Sequence, residues 1–99
     1  MENNIKVSIV IPTYNEEGNI GRLLEMTHGV LQSVNVSHEL IVVDDGSKDR
    51  TRALVRELKV KIPEVVLIER DNERGLASAM VRGYNVAQGV YLGAMDADL

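Results

Sequence analysis

Cysteine is absent from these 99 residues. Disulfides and thiolate metal sites are therefore excluded, and the composition suits a reducing, cytoplasmic compartment. Aromatic residues are scarce. Only Tyr14, Tyr84 and Tyr91 occur, too few for the stacked platforms that hold single-stranded nucleic acid. Positive charge is also in deficit: 11 Lys and Arg face 15 Asp and Glu, a net charge of −4, with no basic run to track a phosphate backbone. Nucleic acid is not an expected partner. No window approaches the roughly 18 apolar residues of a membrane span. The opening MENNIKVSIVIPTYNEE lacks the apolar core and cleavage signal of a secretory leader. No internal repeat, low-complexity tract or linker interrupts the chain. What is present, 44% apolar and 26% charged residues, is the balance of one globular domain or part of one.

Four short apolar runs, at 7–11, 40–43, 65–68 and 90–95, are apolar on consecutive positions and do not alternate. Strands covered on both faces have this pattern. Helical spacing lies between them. Ile20, Leu23, Leu24, Thr27, Val30 and Leu31 share a stripe, Leu54, Leu58 and Ile62 another, and Leu76, Met80, Gly83 and Ala87 a third beside Ala79. Pro63 should end the second helix, Gly89 should cap the third, and the small residues of the third let it lie close to a sheet. Strand–helix alternation of this kind predicts an α/β fold, a Rossmann-like parallel sheet of about four strands with three helices.

In such a sheet ligands bind beyond the carboxyl ends of the strands. The first run leads into Pro12-Thr13-Tyr14-Asn15-Glu16-Glu17, the second into Asp44-Asp45-Gly46-Ser47, the third into Arg70-Asp71-Asn72-Glu73-Arg74-Gly75, and the fourth into Asp96-Ala97-Asp98. All four ends are polar and would share one rim. Two unit charges ~5 Å apart repel by roughly 3 kcal/mol at an effective dielectric near 20, so a positive partner is required. Asp96 and Asp98 suggest one. Hard carboxylate oxygens suit Mg2+ or Mn2+, with phosphate oxygens completing the shell, provided the chain turns to bring both side chains together. Asp45 has the acceptors to bind a nucleobase or ribose. Asp44 is either held by backbone N–H groups or caps the following helix, and Ser47 and Asp49 compete for the same capping role. Gly46 permits a turn with positive φ.

The succession Pro12-Thr13-Tyr14-Asn15-Glu16, Asp44-Asp45-Gly46-Ser47 with Asp49 and Thr51, Gly75-Leu76 with Ala79, and Asp96-Ala97-Asp98 resembles the nucleotide-binding half of inverting family 2 glycosyltransferases of the GT-A fold. RGLASAMVRGYNVAQG followed by MDADL is most similar to the polyprenol-phosphate hexose transferases, dolichol-phosphate mannosyltransferases among them. The resemblance runs from about Val7 to Leu99. It implies strand order 3-2-1-4, with Pro12, Tyr14 and Glu16 cradling the base and ribose and Asp45 bonding the base beside Val43. It further implies Arg74 and Gly75 in a donor-site loop, and Asp96 and Asp98 holding a divalent ion on the diphosphate. The implied partners are a nucleotide sugar of the GDP-mannose or UDP-glucose class and a polyprenyl phosphate acceptor, met at the membrane surface by the full-length protein. The family continues past the Asp-x-Asp motif into an acceptor-binding half. The 99 residues are thus expected to form its donor and metal site, catalytically inactive alone and at most a weak nucleotide binder. A homodimer through the edge of the fourth strand is also expected.

Several residues have blander readings. Glu17 sits where acids favour a helix N-terminus. Asp44 reads as structural, Asp71 and Glu73 as solvated loop acids, and Arg50, Arg52, Arg56 and Lys59 as the wet face of the second helix. His28 and His38, in a helix and a loop, lack a second histidine at ligand spacing. A receiver-type signalling domain would need paired acids after the first strand and a late lysine, and the chain has neither. A dinucleotide-binding domain would need Gly-x-Gly-x-x-Gly there.

Overall fold

The structure is a computed structural model, and it describes residues 4–98. The elements alternate as β1 (Val7–Thr13), α1 (Ile20–Ser33), β2 (His38–Asp44), α2 (Thr51–Lys61), β3 (Val65–Glu69), α3 (Leu76–Val86) and β4 (Tyr91–Ala94). All pairings are parallel, and the sheet order is β3-β2-β1-β4.

β2 is buried along its whole length, because helices cover both of its faces. On one face Leu40 and Val42 join Ile11 of β1, Ile20, Leu23 and Leu24 of α1, and Val55 of α2. On the other, Ile41 and Val43 join Val10 and Ala79 beneath α3. The helix sides follow from the strand order. The chain steps from β1 to β2 to β3 in one direction and then reverses to reach β4, which puts α3 on the opposite face. Gly83 lets α3 approach the sheet closely: a Cβ there would stand 2.5 Å from Val10 Cγ1.

Three sequence expectations need correction. β4 is not covered on both faces. Tyr91 and Leu92 are 62% and 51% exposed, because α3 packs over β1 and β2 and leaves the edge strand open. Val30 lies on the outer side of α1, away from the core stripe. Gly89 does not cap α3, whose cap residue is Ala87. Gly89 is needed instead for close approach: a Cβ would meet Ser8 Oγ at 2.6 Å and Ser8 N at 2.8 Å. Its N–H donates to Ser8 Oγ at 2.8 Å, and the Ser8 hydroxyl in turn donates to the buried Glu39 carboxylate, fastening the α3–β4 turn to β1 and β2. Pro63 follows Ile62, the cap residue of α2, so the helix ends just before the proline as expected.

Candidate functional site

The strand order reverses between β1 and β4, and a crevice opens there at the carboxyl ends. A cavity of about 250 Å3 occupies it, lined by Pro12, Thr13, Tyr14, Glu16, Asp45, Leu76, Asp96, Ala97 and Asp98. Asp96 and Asp98 reach the same cavity because the backbone bends at Ala97. The alanine tucks into the core, and the acids on either side stay exposed.

The β1 loop is fixed by its neighbour. Asn15 takes a left-handed conformation, φ 52°, which Asn tolerates better than most residues. Its N–H donates to Ser47 Oγ, and its Oδ1 accepts from the Lys48 N–H, both at 2.8 Å. The Glu16 N–H donates to Thr51 Oγ1 at 2.8 Å. The cap position of α2 falls on Arg50, so neither Ser47 nor Asp49 occupies it; Asp49, one residue earlier, accepts from the Thr51 N–H at 2.9 Å, while Ser47 serves Asp44 and Asn15. Gly46 has φ 76°, as the turn requires.

The adjacent aspartates have separate surroundings. Asp44 is fully buried. It accepts from Thr13 Oγ1 at 2.7 Å, the Ser47 N–H at 2.9 Å, the Ser47 hydroxyl, and Arg52 Nε at 2.6 Å. Burial alone would raise its pKa, but the Ser47 and Thr13 hydroxyls, the Ser47 N–H and Arg52 outweigh that and hold the carboxyl below its ordinary range. Asp45 lines the cavity and is gripped bidentately from behind by Arg70, Nε to Oδ1 at 2.6 Å and Nη2 to Oδ2 at 2.9 Å. Arg70 is 1% exposed and also donates to Ser78 Oγ at 3.0 Å. Donating to the Asp45 carboxylate raises the already high pKa of the Arg70 guanidinium further.

The positive partners of these two acids are therefore arginines, Arg52 of α2 and Arg70 at the end of β3. Arg52 is not on the wet face of α2; its side chain is 17% exposed. One sequence signal points to Arg70: a lone cation follows directly where a strand ends beside two acids. Asp71 and Glu73 are exposed but paired, with Arg52 and with Arg70 and Arg82.

Of the remaining expected residues, Arg74 stacks its guanidinium 5.4 Å from the Tyr14 ring centroid at the cavity mouth. Gly75, φ 113°, precedes α3. Val43 is not brought to the cavity, because its alternating position on β2 turns it into the core beneath α3. Away from the crevice, a hollow of about 580 Å3 at the amino ends of the strands is lined in part by His38 and Glu64. It is larger, but no strand end delivers paired acids to it. His38 opens β2 and does not sit in a loop, and it meets His28, Nδ1 of His28 to Nε2 of His38, at 2.8 Å. Among the described residues no three His, Cys, Asp or Glu side chains form a self-sufficient metal cage. Asp96 and Asp98 therefore offer a two-carboxylate platform that phosphate or water oxygens would have to complete.

Residues 8–99 match the family model described as Glycosyl transferase family 2. The chain belongs to this family. As a family 2 member it is 46% identical over 95 residues to a dolichol-phosphate mannosyltransferase of Pyrococcus furiosus, covering 96% of this chain and 26% of that protein. It is 39% identical over 95 residues to an undecaprenyl-phosphate 4-deoxy-4-formamido-L-arabinose transferase of Proteus mirabilis, covering 95% and 29%. Its fold superposes with TM-score 0.80 and 30% identity on a mannosyltransferase of Pyrobaculum calidifontis solved in complex with GDP-Man and Mn2+, covering 94% of this chain and 27% of that one. The family 2 chain thus spans about a quarter to a third of these relatives, and its four-stranded 3-2-1-4 sheet with three helices matches the GT-A glycosyltransferases.

Proposed function

We propose that this chain is the donor-binding part of a glycosyltransferase that moves a hexose from a nucleotide sugar, of the GDP-mannose or UDP-glucose class, to a polyprenyl phosphate. The observation that carries the reading is the convergence of Glu16, Asp45, Asp96 and Asp98 on one cavity at the reversal of strand order. In this reading Pro12, Tyr14, Glu16 and Asp45 take the base and ribose, with Val43 supporting from the core. Arg74 and Gly75 border the donor, and Asp96 and Asp98 hold Mg2+ or Mn2+. The donor set fits such an ion: hard, exposed oxygens, incomplete without a diphosphate. Bound there, the ion would supply Lewis-acid neutralisation of charge on the departing nucleoside diphosphate. The chain's own residues orient the base through Asp45, whose two oxygens are fixed by Arg70, and enclose the ribose side with the β1 loop.

Thermal unfolding with GDP or UDP, with and without Mn2+, tests the reading. A ligand at ten times its Kd stabilises by about 1.4 kcal/mol, which for ~100 residues raises Tm by roughly 6–11 °C. The expected rise depends on Mn2+ and disappears in Asp98→Asn. No rise with either nucleotide in the presence of Mn2+ would refute it.

The names of the polyprenyl-phosphate relatives support a placement at a membrane surface, where such an acceptor is presented. No helix of the described residues is long and apolar enough to cross a membrane. The open edge of β4, with exposed Val90, Tyr91 and Leu92, supports a second proposal, self-association of this chain into a dimer.

A further inference from the structure

Arg52 touches no part of the crevice, yet its guanidinium donates four hydrogen bonds and makes a further ion pair. Nε donates to Asp44 Oδ2 at 2.6 Å. Nη1 donates to Asp71 Oδ1 at 2.9 Å and faces Glu69 Oε1 at 3.2 Å. Nη2 donates to the carbonyl oxygens of Asp44 at 3.3 Å and Arg70 at 3.1 Å. The Asp44 carbonyl belongs to the peptide that leads into Asp45. The Arg70 carbonyl belongs to the peptide that leaves Arg70. One planar fork on α2 thus fastens the backbone of both members of the Asp45–Arg70 pair from outside the cavity. A second strap supports it, because the Arg70 N–H donates to the same Asp44 carbonyl at 2.8 Å. Through the Asp44 carboxylate the fork also reaches Thr13, and so the β1 loop.

We infer that Arg52 is a positioning residue for nucleotide recognition, setting the distance between the ends of β2 and β3 and thereby the aim of the Asp45 carboxylate into the crevice. The inference rests on the nucleotide-binding reading above. Lysine cannot replace Arg52: an ammonium carries three donors on one point, whereas the four acceptors spread across two strand ends. Asp96 and Asp98 follow β4, on the far side of β1, and Arg52 does not touch that strand. Loss of Arg52 should therefore damage recognition of the base and spare the metal–diphosphate side.

The test compares the 99-residue chain with Arg52→Lys and Asp71→Ala. Arg52→Lys keeps a cation for the buried Asp44, and Asp71→Ala removes only the exposed outer arm. Kd values for GDP, UDP and inorganic diphosphate, each with Mn2+, are measured by calorimetry. The tighter nucleoside diphosphate should weaken about tenfold in Arg52→Lys and about threefold in Asp71→Ala, in proportion to the contacts removed. Inorganic diphosphate should change less than about twofold. A general loosening of the fold would weaken all three ligands together, and that result, or no change in any, would overturn the inference. A ligand-free readout separates its failure from that of the nucleotide reading. The Arg70 Nε–H, held on Asp45, should exchange with solvent slowly in the parent chain and at least about tenfold faster in Arg52→Lys. If the parent binds no nucleotide, this exchange rate alone decides, and an unchanged rate rejects the role for Arg52.

Discussion

At the scale of single residues, the crevice depends on two aspartates paired with two arginines. Arg70→Met would leave Asp45 without a cation. A broken, fully buried pair costs roughly 3–5 kcal/mol. Asp45 keeps some water access, 14% exposure, so a loss of about 2–3 kcal/mol is expected in urea denaturation. Asp45→Asn and the double variant close a cycle, and the double variant should lose less than the sum of the two single losses. An unshifted midpoint in Arg70→Met would show that the pair contributes nothing. Asp44 governs the acid side. Its folded pKa lies below the unfolded value near 3.8, so its stabilisation is complete above that value and is lost as pH falls through the folded pKa. Melting between pH 6 and pH 3 should show the gap between parent and Asp44→Asn closing toward acid. Which acids occupy the rim was legible in the sequence, because each lies in the polar segment that follows an apolar run. Their partners were not: Arg70 meets Asp45 from 25 positions away, and Arg52 returns to Asp44 from a helix, and no periodicity encodes such contacts.

At the scale of elements, the central strands and the small-residue face of α3 were legible for a shared reason. Consecutive β-branched residues and a Gly-Ala stripe have few uses other than double coverage and close packing. β4 misled because Val90, Tyr91 and Leu92 carry the same apolar signal, although an edge strand beyond the reach of α3 exposes them. The close packing gives a test. Gly83→Ala should gain about 1 kcal/mol of helix propensity. The new Cβ, however, would sit 2.5 Å from Val10 Cγ1 and 2.8 Å from Cγ2, on a stiff side chain in the core. Overpacking of this kind costs about 1–3 kcal/mol, so it wins, and Tm should fall by several degrees. Val10→Ala in the same chain should restore part of the loss by making room; a Tm at or above the parent's in Gly83→Ala alone would show that α3 stands off the sheet.

At the scale of the whole molecule, the asymmetry of the sheet is decisive. β3, the other outer strand, has α2 packed on one of its faces. Among the described residues β4 pairs only with β1. The Tyr91 and Met95 N–H groups donate inward, to Lys6 O at 2.8 Å and Val10 O at 3.0 Å. Alternation along a strand then turns the Leu92 and Ala94 N–H and C=O groups toward the open side. Exposed donors and acceptors flanked by Val90, Tyr91 and Leu92 form a template for a second strand. Two copies related by a two-fold axis would meet there antiparallel, extending the sheet from four strands to eight. Four residues supply few ladder bonds, so the pairing should be weak and concentration-dependent. Light scattering over a tenfold concentration range should show the mass rising toward twice that of one chain. Leu92→Lys places a charge on the edge without touching the ladder to β1, and it should hold the chain monomeric with little change in Tm. A constant single-chain mass for the parent across that range would sink the dimer and leave the crevice reading untouched.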